Sequence, residues 1–427
     1  MIPIVIACLF FFILIGVPIS FGILLSGLVA VWATGSFPLY MVAQRFVSGI
    51  NSFSLMAVPM FIVAGSIMSN GGISKRIINF CSALFSWLRG GLAIVCVAAN
   101  MIFASISGSG TAAISAIGGM TAPSLVEKGY KKGFVGALIG GAGSLGPIIP
   151  PSCDMIVFAA ITGMSVARMF AGGIIPGLTL GVIFMIICSL YARKHNIDYG
   201  GRFNGKNVWI AFKDAFLALL MPVIILGGVF SGAFTATEAG AVACAYGLIV
   251  GKFVYKELKW KDLFPVFKNA TESTAQVMMI LASSTVFGYI FTVENVGESL
   301  RGWLTGTTDS TLVIMLMTAG LMVLIGCFME TLAAMPVVLP IVYPLLKSMG
   351  ANMNQFGVMF CLCTIMGGLT PPVGCYLFIS GSVVKERVTK IIPWMLVFIA
   401  VEIAIVLLTA FWEPFATFLP NLMFGKM

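Results

Sequence analysis

Strongly apolar stretches recur along the whole chain, and few charged residues separate them. Only 9% of the residues are charged and 59% are hydrophobic, whereas a soluble protein carries about 25% charged residues. So few charges cannot cover a water-facing surface. One helical crossing of a bilayer needs about 20 apolar residues, and stretches of this kind fill most of the sequence. We therefore expect an all-α integral membrane protein without a separate soluble domain.

The basic residues are concentrated in five clusters between the apolar stretches, at 75–89, 127–132, 193–213, 252–268 and 385–390. Cytoplasmic loops of membrane proteins are enriched in Lys and Arg, so all five clusters are placed in the cytoplasm. The formal net charge of +9 is then mainly a topology signal, and nucleic acid is not expected as a partner. The charge rule predicts ten crossings and two re-entrant hairpins, with both termini outside the cell.

Two charge-poor stretches are predicted to enter the membrane as re-entrant hairpins. Residues 91–126 contain no charged residue and lie between two basic clusters, so both of their ends belong on one side. The stretch is barely long enough for two crossings, and Gly and Ser near Ser107–Gly110 permit a tight turn. Residues 310–346 repeat the pattern from the opposite face, with Glu330 as the one charge at a tip spanning 326–331.

Two further apolar stretches are interrupted by Pro-Pro pairs. Residues 133–162 contain GPIIPPS, and residues 354–384 contain GLTPPVG. Proline lacks an N–H and clashes with the preceding helical turn, so each stretch is predicted to be a discontinuous helix. Such a break exposes carbonyls at one half-helix end and N–H groups at the other, which suit a cation and an anion respectively.

The two halves of the chain align at a shift of roughly 220 residues, which indicates an internal repeat. Ser109 then falls on Glu330, and Pro150 falls on Pro371. If each half crosses the membrane an odd number of times, the second half has the opposite orientation in the membrane. This arrangement is typical of secondary carriers. We therefore predict two inverted repeats, residues 1–213 with scaffold 1–70 and residues 214–427 with scaffold 217–293.

Three motifs carry a resemblance to a known family. They read SGSGTAAISAIGGMTAPSL at 107–125, GAGSLGPIIPPS at 141–152 and GGLTPPVGCYLF at 367–378. They resemble the large membrane subunit of TRAP transporters, the tripartite ATP-independent periplasmic carriers. One departure is Gly110, where a second Ser is common in the first motif.

The resemblance implies an elevator-type carrier distantly similar to divalent-anion/Na⁺ symporters. It implies import of an organic acid with Na⁺, two or more ions per cycle, and sialic acid is the first expectation for the substrate. A C4-dicarboxylate or another sugar acid is the alternative. The implied partners are a small four-helix membrane subunit, expected as a separate chain, and a periplasmic substrate-binding protein.

The hairpin tips and the breaks supply the candidate ligands, because backbone carbonyls and hydroxyls suit a hard cation. The predicted sodium ligands are Ser105, Ser107, Gly143, Gly146, Pro150, Gly326, Glu330, Thr331, Gly367, Thr370 and Val373. The predicted substrate contacts are Ser107, Ser109, Thr111, Ser152, Asp154, Pro371 and Pro372. Helix capping is the alternative role for the hydroxyls at the first tip, for Glu330 and for Asp154.

The sequence gives less support to other classes of function. The chain has no HExxH-type site, no paired catalytic carboxylates and no nucleophile with a base in its motif, so we expect no enzyme. A stand-alone Na⁺/dicarboxylate symporter is the alternative within transport. Glu238, Glu272 and Glu402 are expected near membrane interfaces or in the scaffold and are not assigned to the site.

Overall fold

The computed structural model describes residues 1–197, 203–296, 310–329 and 331–426, and for Thr331 only the backbone. Throughout these residues the regular structure is helical, without strands. The all-α class expected from the hydropathy is therefore confirmed. A helix satisfies its own backbone hydrogen bonds, which a bilayer requires of any segment that spans it.

The helices of the first half fall into an N-terminal group and a group that contains the first predicted hairpin and break. The N-terminal helices are α1 Ile2–Leu14, α2 Ile19–Thr34, α3 Tyr40–Ile50, α4 Ala57–Asn70 and α5 Ile73–Phe85. The second group comprises α6 Gly91–Ser107, α7 Gly110–Ala113, α8 Gly119–Glu127, α9 Lys132–Gly143, α10 Cys153–Thr162 and α11 Val166–Lys194. A π turn, Ile114–Gly118, joins α7 to α8.

In the second half three described helices precede a hairpin and a break, which follow each other in the same order as in the first half. The first helices of the second half are α12 Gly205–Phe230, α13 Ala236–Ile249, which a π turn extends to Val254, and α14 Trp260–Val293. The later ones are α15 Thr311–Gly326, α16 Thr331–Ser348, α17 Met353–Leu369, α18 Cys375–Val384, α19 Val388–Phe411 and α20 Pro414–Phe424.

Within the described residues, five helices are long and apolar enough to cross a membrane, namely α11, α12, the extended α13, α14 and α19. Each overlaps a crossing that the hydropathy and the charge rule predict, at 171–191, 217–233, 236–251, 271–293 and 391–412 respectively. Helix α3 and the segment Ser54–Asn70 form a pair bent by 61° that makes a sixth candidate span. Helices α1 and α2 have 13 and 16 residues, fewer than the roughly 20 that one crossing needs. They pack side by side and, with α14, bury a small separate core, so their crossing stays a prediction.

Both predicted interruptions are present. Helix α9 ends at Gly143 and α10 begins at Cys153, while α17 ends at Leu369 and α18 begins at Cys375. The Pro-Pro peptide bond in each break is cis. Both hairpins also turn where the sequence indicates, the first between α6 and α7 and the second between α15 and α16. Glu330, at the second tip, lies outside the described residues.

One backbone contact links hairpin and break in each half. The Cys153 N–H donates to the Gly108 carbonyl over 3.3 Å, and the Gly374 N–H donates to the Cys327 carbonyl over 3.0 Å. The two bonds lie about 220 residues apart along the chain, as the sequence repeat requires. The order of elements and their connection therefore repeat. The boundary after residue 213 and the inversion across the membrane stay predictions.

The broken helix of each half packs against the hairpin of the other. Helix α18 contacts α9 and the π turn of the first hairpin, and α10 contacts α16 of the second. Helices α13 and α14 both pack against α4, and α4 also touches α6 and α10. Helices α4 and α14 face the first hairpin across a cavity.

Candidate functional site

A cavity of about 740 Å³ lies between the first hairpin and helices α4 and α14. The hairpin tip forms one wall with Ser107, Ser109 and Thr111, and Asp154 at the start of α10 adjoins it. The other wall carries Gly65, Ser66 and Ser69 of α4 and Asn269, Ser273 and Gln276 of α14. Among the described residues that line the cavity, Asp154 is the sole charged one. The cavity is thus polar through hydroxyl, amide and backbone groups.

The hydroxyls of the first tip are both capping groups and cavity lining. Ser109 begins α7, and its Oγ accepts from the Ala112 N–H over 3.5 Å and lies 3.1 Å from Thr111 Oγ1. Ser107 Oγ accepts from the Ser109 N–H, also over 3.5 Å. Both distances are longer than is usual for an N–H···O hydrogen bond, so the capping bonds are weak. The same oxygens also lie at the cavity wall.

Close contacts at the tip leave no room for a side chain at Gly110. A Cβ on Gly110 would lie 2.8 Å from the Gly143 carbonyl oxygen and 2.9 Å from Tyr376 Cζ. A Cβ on Gly146 would lie 2.7 Å from the Gly110 nitrogen. The tip, the first break and the Tyr376 ring of α18 therefore meet without room for a side chain at Gly110.

Part of the first predicted sodium set comes together at this contact. Ser107 Oγ and the Gly143 carbonyl flank Gly110, although the Gly146 N–H already donates to that carbonyl over 2.9 Å. Ser105 Oγ donates to the Ile102 carbonyl of its own helix over 2.7 Å, and Pro150 does not line the cavity. Oxygen-only donors in a cradle too narrow for a Cβ fit a small hard cation better than a soft one.

The second predicted set is only partly described. Gly326 and Gly367 pack backbone to backbone, since a Cβ on Gly326 would lie 2.9 Å from Gly367 Cα. Thr370 Oγ1 donates to the Met366 carbonyl over 2.7 Å, and Val373 is 46% exposed. Glu330 and the side chain of Thr331 lie outside the described residues, so the roles of both stay predictions.

The predicted substrate contacts fall into two groups. The cavity is lined by Ser107, Ser109, Thr111 and Asp154. Ser152 is fully buried and caps α10, because its Oγ accepts from the Met155 N–H over 3.2 Å and donates to the Pro147 carbonyl. Pro371 and Pro372 lie at the second break and do not line this cavity.

Sequence reasoning missed the wall opposite the hairpin. Asn269, Ser273 and Gln276 are spaced so that they share one face of α14, and all three line the cavity. Gly65 of α4 permits close approach, since a Cβ there would lie 3.1 Å from Ser107 Cβ. A polar stripe at helical spacing in an apolar helix is the signal that identifies such a face.

The position of Glu402 differs from the one expected from the sequence. It is 1% exposed in the middle of α19, and its Oε1 lies 2.5 Å from Ser144 Oγ in the first break. Ser144 Oγ also lies 2.7 Å from the Gly141 carbonyl oxygen. A carboxyl group buried within a membrane span is expensive and has a functional role by default. Glu402 is therefore neither an interface residue nor part of the α4 and α14 wall, but a support of the break.

One solved structure has the same fold. The YdaH transporter of Alcanivorax borkumensis, whose crystal structure reveals an unusual topology, superposes with a TM-score of 0.64 over 89% of this chain and 90% of its own. The two sequences are only 13% identical.

Comparisons by sequence identify the family. Isethionate TRAP transporter permease protein DctMQ of Oleidesulfovibrio alaskensis is 37% identical over 403 residues, which are 94% of this chain and 63% of that protein. The 2,3-diketo-L-gulonate TRAP transporter large permease protein YiaN of Escherichia coli is 34% identical over 91% of this chain and 93% of its own. Sialic acid TRAP transporter large permease protein SiaM of Vibrio cholerae is 32% identical over 96% of each.

The match to a family model extends over nearly the whole sequence. The model for the tripartite ATP-independent periplasmic transporter, DctM component, covers residues 6–414. These residues include both hairpins, both breaks and every helix that lines the cavity. The chain therefore belongs to the DctM family, the large permease component of TRAP transporters.

Proposed function

We propose that this chain is the carrier subunit of a Na⁺-coupled importer that takes up a small organic acid. The cavity carries the proposal. It offers hydroxyl and amide groups to a polar substrate, and its described lining includes Asp154 but neither Lys nor Arg. An anion brought alone into a poorly solvated site that already holds a carboxylate is strongly disfavoured. A cation that enters with the anion removes this penalty.

The cradle at the first tip is where we propose that one such cation binds. Ser107 and the carbonyls of Gly143 and Gly146 would supply the oxygen ligands, and Ser107 and Gly110 also line the cavity. Bound Na⁺ would supply the positive charge that the described lining lacks. The Ser109 and Thr111 hydroxyls would then donate to the substrate carboxylate. We propose at least one further Na⁺ at the second break, with Gly326 and Gly367 in its wall.

An elevator movement fits the position of the cavity. The hairpins and broken helices would move as one body, because each break is bonded to its own hairpin and packed against the other one. Helices α4 and α14 would form the stationary wall. Ser107 of the hairpin would then slide past Gly65 of α4 during the movement.

The relatives support the substrate class but not one compound. Their names specify a sulfonate, a keto sugar acid and sialic acid, all of them small organic anions. Sialic acid is our first candidate and a C4-dicarboxylate the second. We propose that a periplasmic binding protein delivers the substrate and that the small four-helix membrane subunit is a separate chain.

Uptake into proteoliposomes tests the proposal. The chain is reconstituted with its small partner, with and without the binding protein, and labelled sialic acid or a C4-dicarboxylate is supplied under an inward Na⁺ or choline gradient. We expect uptake only with Na⁺ and the binding protein together. Uptake by this chain alone would favour the stand-alone Na⁺/dicarboxylate symporter, and uptake in choline would exclude Na⁺ coupling.

A further inference from the structure

The ring of Tyr376 lies where the second break, the first hairpin tip and the substrate cavity meet. Tyr376 is the second residue of α18, which begins just after the second break, and it is 3% exposed. Among the described residues of the second hairpin and break, Tyr376 and Leu332 are the two that line the substrate cavity. Through Tyr376, the second break therefore reaches the same cavity as the first hairpin tip.

Glycines from both halves of the chain lie against this ring. A Cβ on Gly110, at the first tip, would lie 2.9 Å from Tyr376 Cζ and 3.0 Å from Tyr376 Oη. A Cβ on Gly368, near the end of α17, would lie 3.1 Å from Cδ2 and 3.2 Å from Cε2 of the same ring. Gly110 thus meets the far end of the ring, and Gly368 meets one edge. Because protein interiors are close-packed, the ring can shift only if one of these backbones shifts with it.

The second break determines where α18 begins and hence where the ring lies. Gly374, next to α18, has a φ of +24°, in the region that favours glycine. A Cβ there would lie 2.8 Å from the carbonyl oxygens of both Gly368 and Thr370. The Gly374 N–H also donates to the Cys327 carbonyl of the second tip over 3.0 Å. A change in the geometry of the second break or tip therefore reaches Tyr376 within two residues.

The first tip is held from two directions at Gly110. The Cβ that would approach Tyr376 would also lie 2.8 Å from the Gly143 carbonyl oxygen, which belongs to the proposed sodium cradle together with Ser107. Gly110 is also the first residue of α7, and Ser109 immediately before it lines the cavity. A displaced ring would therefore move the residues that we propose for both the cation and the substrate carboxylate.

We propose that Tyr376 is a positioning residue that couples the two sodium sites, so that Na⁺ at the second break favours the first cradle and the reverse. This inference rests on the two Na⁺ sites of the proposed function. Holding the carbonyls of the second break around a cation would fix the start of α18, and the ring would then hold Gly110 against the Gly143 carbonyl. The coupling is reciprocal, because each site changes the affinity of the other by the same factor. It depends on contact with the ring and not on the Tyr376 hydroxyl.

A ring that only filled space between the two halves would stabilise the fold without linking the sites. The two roles differ in the binding isotherm of Na⁺, because independent sites never give a Hill coefficient above one. For two similar sites, the usual allosteric coupling of about 5-fold to 150-fold corresponds to a Hill coefficient of about 1.4–1.8.

Equilibrium binding of radioactive Na⁺ to the full chain with its small partner, in the absence of substrate, tests the proposal. We expect the Hill coefficient of wild type to lie in this range. Tyr376→Leu should lower it to about one and should raise the half-saturating Na⁺ concentration about twofold to tenfold. Tyr376→Phe retains the ring and should resemble wild type.

Phe378→Leu is the matched control, since Phe378 is 49% exposed on the same helix and does not line the cavity. Its Hill coefficient should stay at the wild-type value. Gly368→Ala keeps Tyr376 but crowds its ring, and alanine suits a helix interior better than glycine. This variant should therefore fold and lose cooperativity, which keeps the test valid if Tyr376→Leu does not fold.

The outcomes separate this inference from the proposed function. A wild type that binds no Na⁺ would overturn both. Na⁺ binding by wild type with a Hill coefficient of about one would overturn the coupling alone. So would wild-type cooperativity in Tyr376→Leu or in Gly368→Ala, or an equal loss of cooperativity in Phe378→Leu.

Discussion

Ser144 of the first break and Glu402 of α19 are joined side chain to side chain, with Oγ and Oε1 2.5 Å apart. Both residues are buried, at 0% and 1% exposure. Ser144 immediately follows Gly143, whose carbonyl belongs to the proposed sodium cradle. A residue far along the chain thus helps to hold the backbone at which we propose that the cation binds.

Substitution of Glu402 tests this support. Glu402→Gln keeps the size and a hydrogen-bonding group, so Na⁺-driven uptake should stay within about threefold of wild type. Glu402→Leu leaves Ser144 without that partner, and loss of a buried hydrogen bond costs about 1–3 kcal/mol. We expect it to raise the Na⁺ concentration for half-maximal uptake about tenfold. Glu272→Leu, at an exposed position on α14, is the control, and an unchanged Na⁺ dependence in Glu402→Leu would remove the supporting role.

The packing at the first tip predicts that Gly110→Ser is harmful. Its Cβ would approach both Tyr376 and the Gly143 carbonyl within 3 Å, and such overpacking costs about 1–3 kcal/mol. We expect a lower unfolding temperature and reduced uptake. Gly119→Ser, in the same hairpin, places its Cβ in open space and should resemble wild type. Wild-type behaviour of Gly110→Ser would contradict the described tip geometry.

The polar face of α14 predicts an effect on substrate affinity. Asn269→Ala and Gln276→Ala each remove a hydrogen-bonding group from the cavity wall, and one neutral hydrogen bond contributes about 0.5–1.5 kcal/mol. The KM for uptake should rise about threefold to tenfold with little change in kcat, because the contact is made in the bound ground state. Thr271→Ala, exposed on α14 but not lining the cavity, is the control. Equal KM values for all three variants would rule out a substrate wall on α14.

The carboxylate of Asp154 is expected to affect the Na⁺ dependence of uptake. It is 3% exposed and is the one carboxylate in the described cavity lining, so it attracts a cation more than it can attract the substrate. Asp154→Asn should raise the Na⁺ concentration for half-maximal uptake about tenfold while leaving the KM at saturating Na⁺ nearly unchanged. Uptake against Na⁺ concentration measures this. An improved KM with unchanged Na⁺ dependence would mean that Asp154 only repels the substrate.

The sequence predicted the hairpins and breaks because their causes are local. Proline removes an N–H and glycine permits a turn wherever they occur, so Pro150 and Pro371 are informative without tertiary structure. Glu402 was misplaced for the opposite reason. Its role depends on a contact with Ser144 across more than half of the chain, which the local sequence around Glu402 does not show.

The contact between Gly110 and Tyr376 is likewise not predictable from the local sequence. The space at Gly110 is limited by the Gly143 carbonyl and by the Tyr376 ring, and the ring is contributed by the other half of the chain. The α14 wall of the cavity can be predicted from the sequence only in part. The spacing of Asn269, Ser273 and Gln276 is readable from sequence, whereas the fact that this face meets the hairpin and not another helix is a consequence of packing.

The central claim is that an organic acid enters a cavity whose described lining contains neither Lys nor Arg only when Na⁺ accompanies it. Equilibrium binding of labelled sialic acid or a C4-dicarboxylate to the purified chain with its small partner, as a function of Na⁺ at constant ionic strength, tests it most directly. We predict that the apparent Kd falls at least tenfold between choline and saturating Na⁺, and that Asp154→Asn shifts the Na⁺ dependence to higher concentrations. The same Kd in choline and in Na⁺ would contradict the account.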